Sequence, residues 1–209
     1  MDILSFVVTV VLITASGALA PGPLFFETIT QGSKTGARSG IIFSIAHTVV
    51  EFSLIMLFAV GLITIASEPS VKLVIGILGG IVLILFGVFQ VYKTFLTTSE
   101  EQKQKVPSHR HLFLIGIVFT GLNPYFIIWW LTVGAQLIII SLEFAALAGV
   151  VFMYICHVWM DYVWLTTVAH FAKKGTNILG LKWYKPLIAA FGIVLIYFGV
   201  SFIINAANP

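Results

Sequence analysis

Charge is scarce in this sequence. Eleven Lys or Arg and eight Asp or Glu make up 9% of its 209 residues, against about 25% in a soluble domain. So few charges cannot cover a water-facing surface. That argues against a soluble enzyme, a disordered chain and a nucleic-acid partner. Cysteine is nearly missing as well. Cys156 is the only one, inside an apolar run, so an internal disulfide, a dithiol relay and a cysteine-based metal cluster are excluded. Polar connections are short, none long enough for a soluble domain. What the chain has in quantity is apolar length: 59% of its residues are hydrophobic and its mean hydropathy is +1.08. The expected class is an all-α integral membrane protein.

A helix needs about 20 mostly apolar residues to cross a bilayer. Six stretches qualify: 3–25, 40–66, 71–92, 111–140, 142–170 and 185–206. Ala18-Leu19-Ala20 has the small-x-small pattern of a signal-peptide cleavage site. The acidic Met1-Asp2 start and the following Pro21 oppose that reading, so the first stretch is expected to be retained as a span. Lys34 and Arg38 fall in the first connection and Lys72 in the second. Lys93, Lys103, Lys105 and Arg110 fall in the third, and Lys173, Lys174, Lys182 and Lys185 in the fifth. Ten of the eleven cations thus lie in odd-numbered connections. The positive-inside rule puts those connections in the cytoplasm and both termini outside. Trp183 and Tyr184 fit an interfacial aromatic belt at the cytosolic start of the last span.

Residues 80–88 read Gly-Ile-Val-Leu-Ile-Leu-Phe-Gly-Val, and residues 192–200 read Gly-Ile-Val-Leu-Ile-Tyr-Phe-Gly-Val. Two more echoes follow in order. His47 and Glu51 in span two match His157 and Asp161 in span five. Ala20-Pro21-Gly22-Pro23 in span one matches Gly121-Leu122-Asn123-Pro124 in span four. A repeat of three spans must re-enter the membrane upside down, an arrangement that recurs in secondary transporters. The expected organisation is a first three-helix repeat at 1–95, a cytoplasmic loop at 96–110 and a second repeat at 111–209.

The two proline-bearing segments break helices one and four near mid-membrane. Proline costs a helix interior about 3 kcal/mol and glycine about 1. In lipid, a broken backbone survives only where it is packed in protein or lines a cavity. Asn is a favoured N-cap and Pro a favoured first helical residue, so Pro23 and Asn123-Pro124 each start a half-helix whose positive dipole end faces inward. Such tips suit a carboxylate. A plain proline kink is the structural alternative.

Glu51 and Asp161 lie deep in their spans, where a charge costs at least about 2.5–3.5 kcal/mol and marks function more often than not. Each sits four residues after a histidine, on one helix face. His47 and His157 are therefore expected to share a proton with the acid on their own helix, as coupling groups or as structural locks. Each pair also makes a partial divalent-metal site, although no residue is assigned to a metal here and no cofactor is expected. Several other residues get structural readings. Glu27 faces either the site or the cytosolic mouth, with the mouth favoured; Gln90 makes a packing hydrogen bond; and for Trp129 and Trp130 core packing is favoured over one of them lining the cavity. His109, Arg110 and His111 form a solvated loop edge. Gly76, Gly80, Gly87, Gly192 and Gly199 make small-residue packing grooves.

Taken together, several features resemble the lysine/threonine exporter family, the LysE-type translocators. They are Pro21-Gly22-Pro23 after an apolar span, Gln31-Gly32-x-x-x-Gly36 with basic residues, and Gly40 opening a span that carries Glu51 and ends at Gly61-Leu62. Gly121-Leu122-Asn123-Pro124 opens the second half. The resemblance covers nearly the whole chain. It implies a proton-coupled exporter of amino acids in a prokaryotic cytoplasmic membrane, in contact with lipid and often a homodimer. On it, Pro21, Gly22, Pro23, Glu51, Asn123, Pro124 and Asp161 are expected to bind substrate. The paired His47 and His157 resemble only part of the family, and it is the reading of the residues themselves that makes Glu51, Asp161, His47 and His157 the candidates for proton coupling. The wider superfamily implies metal exporters and thiol-disulfide carriers too; the latter need two cysteines. The alternatives are divalent-metal export through the His/acid pairs, an intramembrane enzyme, for which no nucleophile motif is present, and an assembly subunit without transport.

Overall fold

In the computed structural model, residues 2–19, 22–62, 69–96 and 107–207 are described. Seven helices account for nearly all of them, and among the described residues there is no strand. α1 runs Ile3–Ala18. Asp2 caps it, its carboxylate accepting the Ser5 backbone N–H at 2.9 Å and the Ser5 hydroxyl at 2.8 Å. Those bonds favour the ionised form and hold the Asp2 carboxyl below its ordinary range. α2 (Pro23–Thr35) ends at Gly36, whose φ of 66° lies in the left-handed region that glycine enters without strain. α3 (Ala37–Leu57) runs on into a wide helical turn, Phe58–Leu62, with Gly61 at φ 104°. α4 is Pro69–Leu96. α5 (His109–Gly121) is capped by Ser108, whose hydroxyl oxygen accepts the His111 N–H at 3.2 Å. α6 is Pro124–Leu131.

α7 is helical from Val133 to Ala207, 75 residues, but it is not one rod. Ala146 turns through a left-handed φ of 49°. Ser141 and Gly149 are brought so close that a methyl group on Gly149 would strike the Ser141 carbonyl. A straight helix would hold Trp164 and Phe198 about 51 Å apart. Yet Phe25 stacks on Trp164 at 5.9 Å while its neighbour Phe26 lies 6.2 Å from Phe198. The chain therefore doubles back within α7 at least twice.

These limits match the expected ones in part. The expected breaks in the first and fourth stretches are there, with α1 ending at Ala18, before Pro21, and α5 giving way at Asn123. A second interruption of the fourth stretch, at Thr132, was not expected. The fifth starts at a turn on Ala146, not at 142, and no gap separates it from the sixth. The expected end of span two, 63–66, and Lys103 and Lys105 lie outside the described residues. So do the side chains of Lys182, Trp183, Tyr184, Lys185, Gly76 and Gln90.

Ala37–Gly61 and Val133–Gly175 contain stretches long and apolar enough to cross a bilayer. α5 and α6 add a third if the bent pair is one span. Large apolar side chains face outward along the bundle, among them Leu12 at 69% exposure, Leu85 at 63% and Tyr197 at 66%. Water would not tolerate such a surface on this scale, whereas lipid does. The chain is a multi-pass membrane protein.

Glycines set how closely the helices approach. The two copies of the nine-residue repeat pack on each other: a methyl on Gly80 would come within 2.6 Å of the Gly199 carbonyl oxygen, and one on Gly87 within 2.5 Å of the Gly192 carbonyl oxygen. α2 meets α7 at Gly32, where a methyl would sit 2.6 Å from the Ala169 Cα. The neighbour there is backbone and cannot swing away. Gly32→Val is expected to cost about 1–3 kcal/mol by overpacking, read as earlier thermal unfolding in detergent. Gly175→Val, with open space around it, should stay within about 0.5 kcal/mol.

Two apolar clusters form the interior. One gathers Phe6, Ile55, Trp130, Leu137 and Met153; the other gathers Leu24, Phe43, Leu83, Phe119 and Leu165. On α3, His47 and Glu51 fall between Phe43 and Ile55. On α7, His157 and Asp161 fall between Met153 and Leu165. The four ionisable residues thus form a polar layer between two apolar ones.

Candidate functional site

Both helix breaks open onto this layer. At the first, α1 ends at Ala18 and Gly22, in extended conformation, caps α2 with Pro23 as its first residue. Pro21 lies outside the described residues. At the second, Asn123 is extended and Pro124 begins α6, which is bent 51° from α5. The Asn123 side-chain oxygen accepts the Tyr125 N–H at 3.1 Å. That cap takes up one of the N–H groups expected to be open to a ligand, and Pro124 has none to give. The breaks face each other: a methyl on Gly22 would lie 3.8 Å from Asn123 Nδ2.

Between them is a cavity of about 90 Å³, several times the 10–15 Å³ that one water requires. Gly22, Asn123 and Tyr125 line it from the breaks. His47, Glu51, His157 and Asp161 line it from α3 and α7, and Phe25, Trp129 and Trp164 supply aromatic walls. The Trp164 indole N–H is buried without a hydrogen-bond partner, an uncommon state for a buried donor.

Glu51 is the hub. It is 4% exposed. One carboxylate oxygen lies 3.3 Å from His47 Nε2 and accepts the Trp130 indole N–H at 3.2 Å; the other lies 3.2 Å from His157 Nε2. Asp161, 6% exposed, lies 3.9 Å from His47 Nε2. The ring of His47 is held from behind by Thr120, whose hydroxyl sits 3.1 Å from Nδ1. Tyr154 donates to the Thr48 carbonyl at 3.2 Å and packs its ring beside His157 at 5.1 Å.

This geometry corrects the pairing expected for the histidines. His47 does meet Glu51 one turn along α3. His157, however, meets Glu51 on the other helix instead of Asp161 on its own, and Asp161 has His47 as its ion-pair partner. Glu27, expected at the site or the cytosolic mouth, is buried, its carboxylate accepting the Gln31 side-chain N–H at 2.6 Å. Trp130 is not only core packing, since it orients the Glu51 carboxylate.

A family model for the LysE type translocator matches residues 15–206. The chain belongs to this family. No curated protein and no solved structure matches it. A LysE type translocator is a membrane transporter, which fits a cavity buried in an apolar bundle. Within this translocator, sequence reasoning missed Thr120, Trp164 and Tyr154, and favoured core packing for Trp130. Trp130 and Thr120 lie in the strings Ile127-Ile128-Trp129-Trp130-Leu131 and Ile117-Val118-Phe119-Thr120, where nothing but the folded contact sets them apart. For Trp130 and Thr120, nearness in sequence to the Asn123-Pro124 break was the available signal.

Proposed function

We propose that this translocator exports amino acids or similar small zwitterionic metabolites from the cytoplasm, driven by inward movement of protons. The observation that carries the reading is the single cavity shared by two half-helix starts and two buried acids. A zwitterion has two ends, and the cavity offers a fitting surface for each. The carboxylate docks at the Gly22 and Asn123 tips, with the unpartnered Trp164 N–H as a further donor. The ammonium faces Glu51 and Asp161. In the return step a proton replaces the ammonium on the same acids, so part of their charge is offset in both directions of the cycle.

The same proposal places six spans in two inverted repeats, 1–95 and 111–209, with the Lys- and Arg-bearing connections in the cytoplasm of a prokaryotic cell and both termini outside. Two exchanges of contacts support this. Equating residues 80–88 with 192–200 turns the Gly80–Gly199 approach into the Gly192–Gly87 approach, and both occur. Equating His47 and Glu51 with His157 and Asp161 turns the His157–Glu51 contact into His47–Asp161, and both of these occur as well. A protein related to itself by a two-fold axis in the membrane plane behaves this way.

The test is efflux of radiolabelled amino acids from proteoliposomes, with the intravesicular and external pH set independently. The proposal expects efflux of at least one amino acid that accelerates with an opposing proton gradient and acidifies the lumen. A panel of the twenty common amino acids in which none moves faster than from protein-free vesicles would contradict it.

A further inference from the structure

Glu51 and Asp161 bring two carboxylates together in the bundle interior. Among the described ion pairs they have no Lys or Arg; their partners are His47 and His157. Two buried carboxylates without a fixed cation are strongly disfavoured, so the cluster requires about two positive charges from outside the side-chain set. Protons are one source. We propose that a divalent first-row transition-metal ion is another, bound by His47 Nε2, Glu51 and Asp161, with water completing its shell.

Three features beyond charge point to a metal. The first is spacing. Donors bonded at about 2.0–2.2 Å around a tetrahedral ion stand roughly 3.3–3.6 Å from one another. Here His47 Nε2 lies 3.3 Å from Glu51 and 3.9 Å from Asp161, and one donor atom from each of His47, Glu51 and Asp161 falls within 4.8 Å of the others. Small side-chain rotations into the adjoining cavity would close the set around one ion.

The second feature is orientation. When His47 Nδ1–H donates to Thr120, its Nε2 lone pair points at two carboxylates, a place that only a proton or a metal ion can occupy favourably. Holding a ligand imidazole by its far nitrogen, and a ligand carboxylate by a donor such as the Trp130 N–H, is how metal sites orient their ligands. The third is donor chemistry. An imidazole beside two carboxylates, with no thiolate in the cluster, favours Zn²⁺, Co²⁺ or Ni²⁺ over Mg²⁺ or Ca²⁺, which take oxygen ligands almost exclusively. The ion occupies the ground that the ammonium and the coupling proton would share. The inference does not depend on amino acids being the exported solute.

The test is titration of the chelator-stripped protein in lipid nanodiscs with CoCl2. The expected result is one Co²⁺ per chain, with the intense visible absorption of a four-coordinate site, displaced by ZnCl2 and unaffected by a tenfold excess of MgCl2. His47→Gln and Glu51→Gln should each weaken binding at least tenfold, and Thr120→Val several-fold. His109→Ala with His111→Ala, outside the cluster, should leave binding unchanged. Absence of saturable uptake by the unmutated protein overturns the inference whatever the variants do. So does equal uptake by monodisperse Glu51→Gln with Asp161→Asn, which would locate the ion elsewhere. Proton-driven amino acid efflux in the presence of EDTA is read separately: efflux without Co²⁺ binding sinks the metal site alone, and Co²⁺ binding without efflux sinks the transport proposal alone.

Discussion

Glu51→Gln is expected to reduce proton-driven efflux roughly 10- to 150-fold, the range that follows from losing a hydrogen bond to a charged group, about 1.5–3 kcal/mol. Glutamine keeps the volume of the side chain and an oxygen for the Trp130 N–H, so packing around the hub is preserved. What disappears is a carboxylate that can carry a proton and face an ammonium between His47 and His157. Asp161→Asn should have a smaller effect, since its ion-pair contact is a single one at 3.9 Å. The check is initial efflux rate at equal protein density in vesicles, with and without a pH gradient. A coupling role predicts that the response to the gradient falls more than the rate without it. Parental rates and parental gradient response in both variants would remove the acids from the mechanism.

The second large effect is expected from healing a break. Asn123→Leu combined with Pro124→Ala removes the cap and the proline that together separate α5 from α6. Without them the Gly121–Tyr125 segment regains the hydrogen bonds of a continuous helix, and a helix interior is relieved of a residue that costs about 3 kcal/mol. The 51° bend should relax, carrying position 123 away from Gly22 and closing one wall of the cavity. Efflux is therefore expected to drop at least tenfold while the thermal unfolding temperature in detergent stays level or rises. A double variant that transports normally would show that the bend is only a packing feature.

Much of this site was legible in the sequence because its signals are local. A Pro-Gly-Pro or Asn-Pro inside an apolar run conflicts with helix chemistry wherever it occurs, and the structure places helix starts at Pro23 and Pro124. An acid deep in an apolar run is conspicuous for the same reason, and both acids border the cavity. What was not legible depends on how helices rotate against each other. The i, i+4 spacing of His157 and Asp161 shows that they share a face, but not which face looks across to Glu51. A reversal is expected near 141, between the fourth and fifth stretches, but the chain turns at Ala146, where Ala145-Ala146-Leu147-Ala148 reads as good helix. The place of Glu27 just after a break suggests a position at the site or the cytosolic mouth, and only its packing shows it buried against Gln31.

The account rests on the cavity between the two breaks being the route that solute takes. Thiol labelling at that point tests it most directly, using Gly22→Cys in a Cys156→Ala background, in right-side-out and inside-out vesicles. The account predicts that a membrane-impermeant maleimide reaches position 22 from one side at a time, that reversing the pH gradient shifts reactivity to the opposite side, and that transported solute protects it. Labelling that is equal under every gradient and indifferent to solute, in protein that still transports, would contradict it.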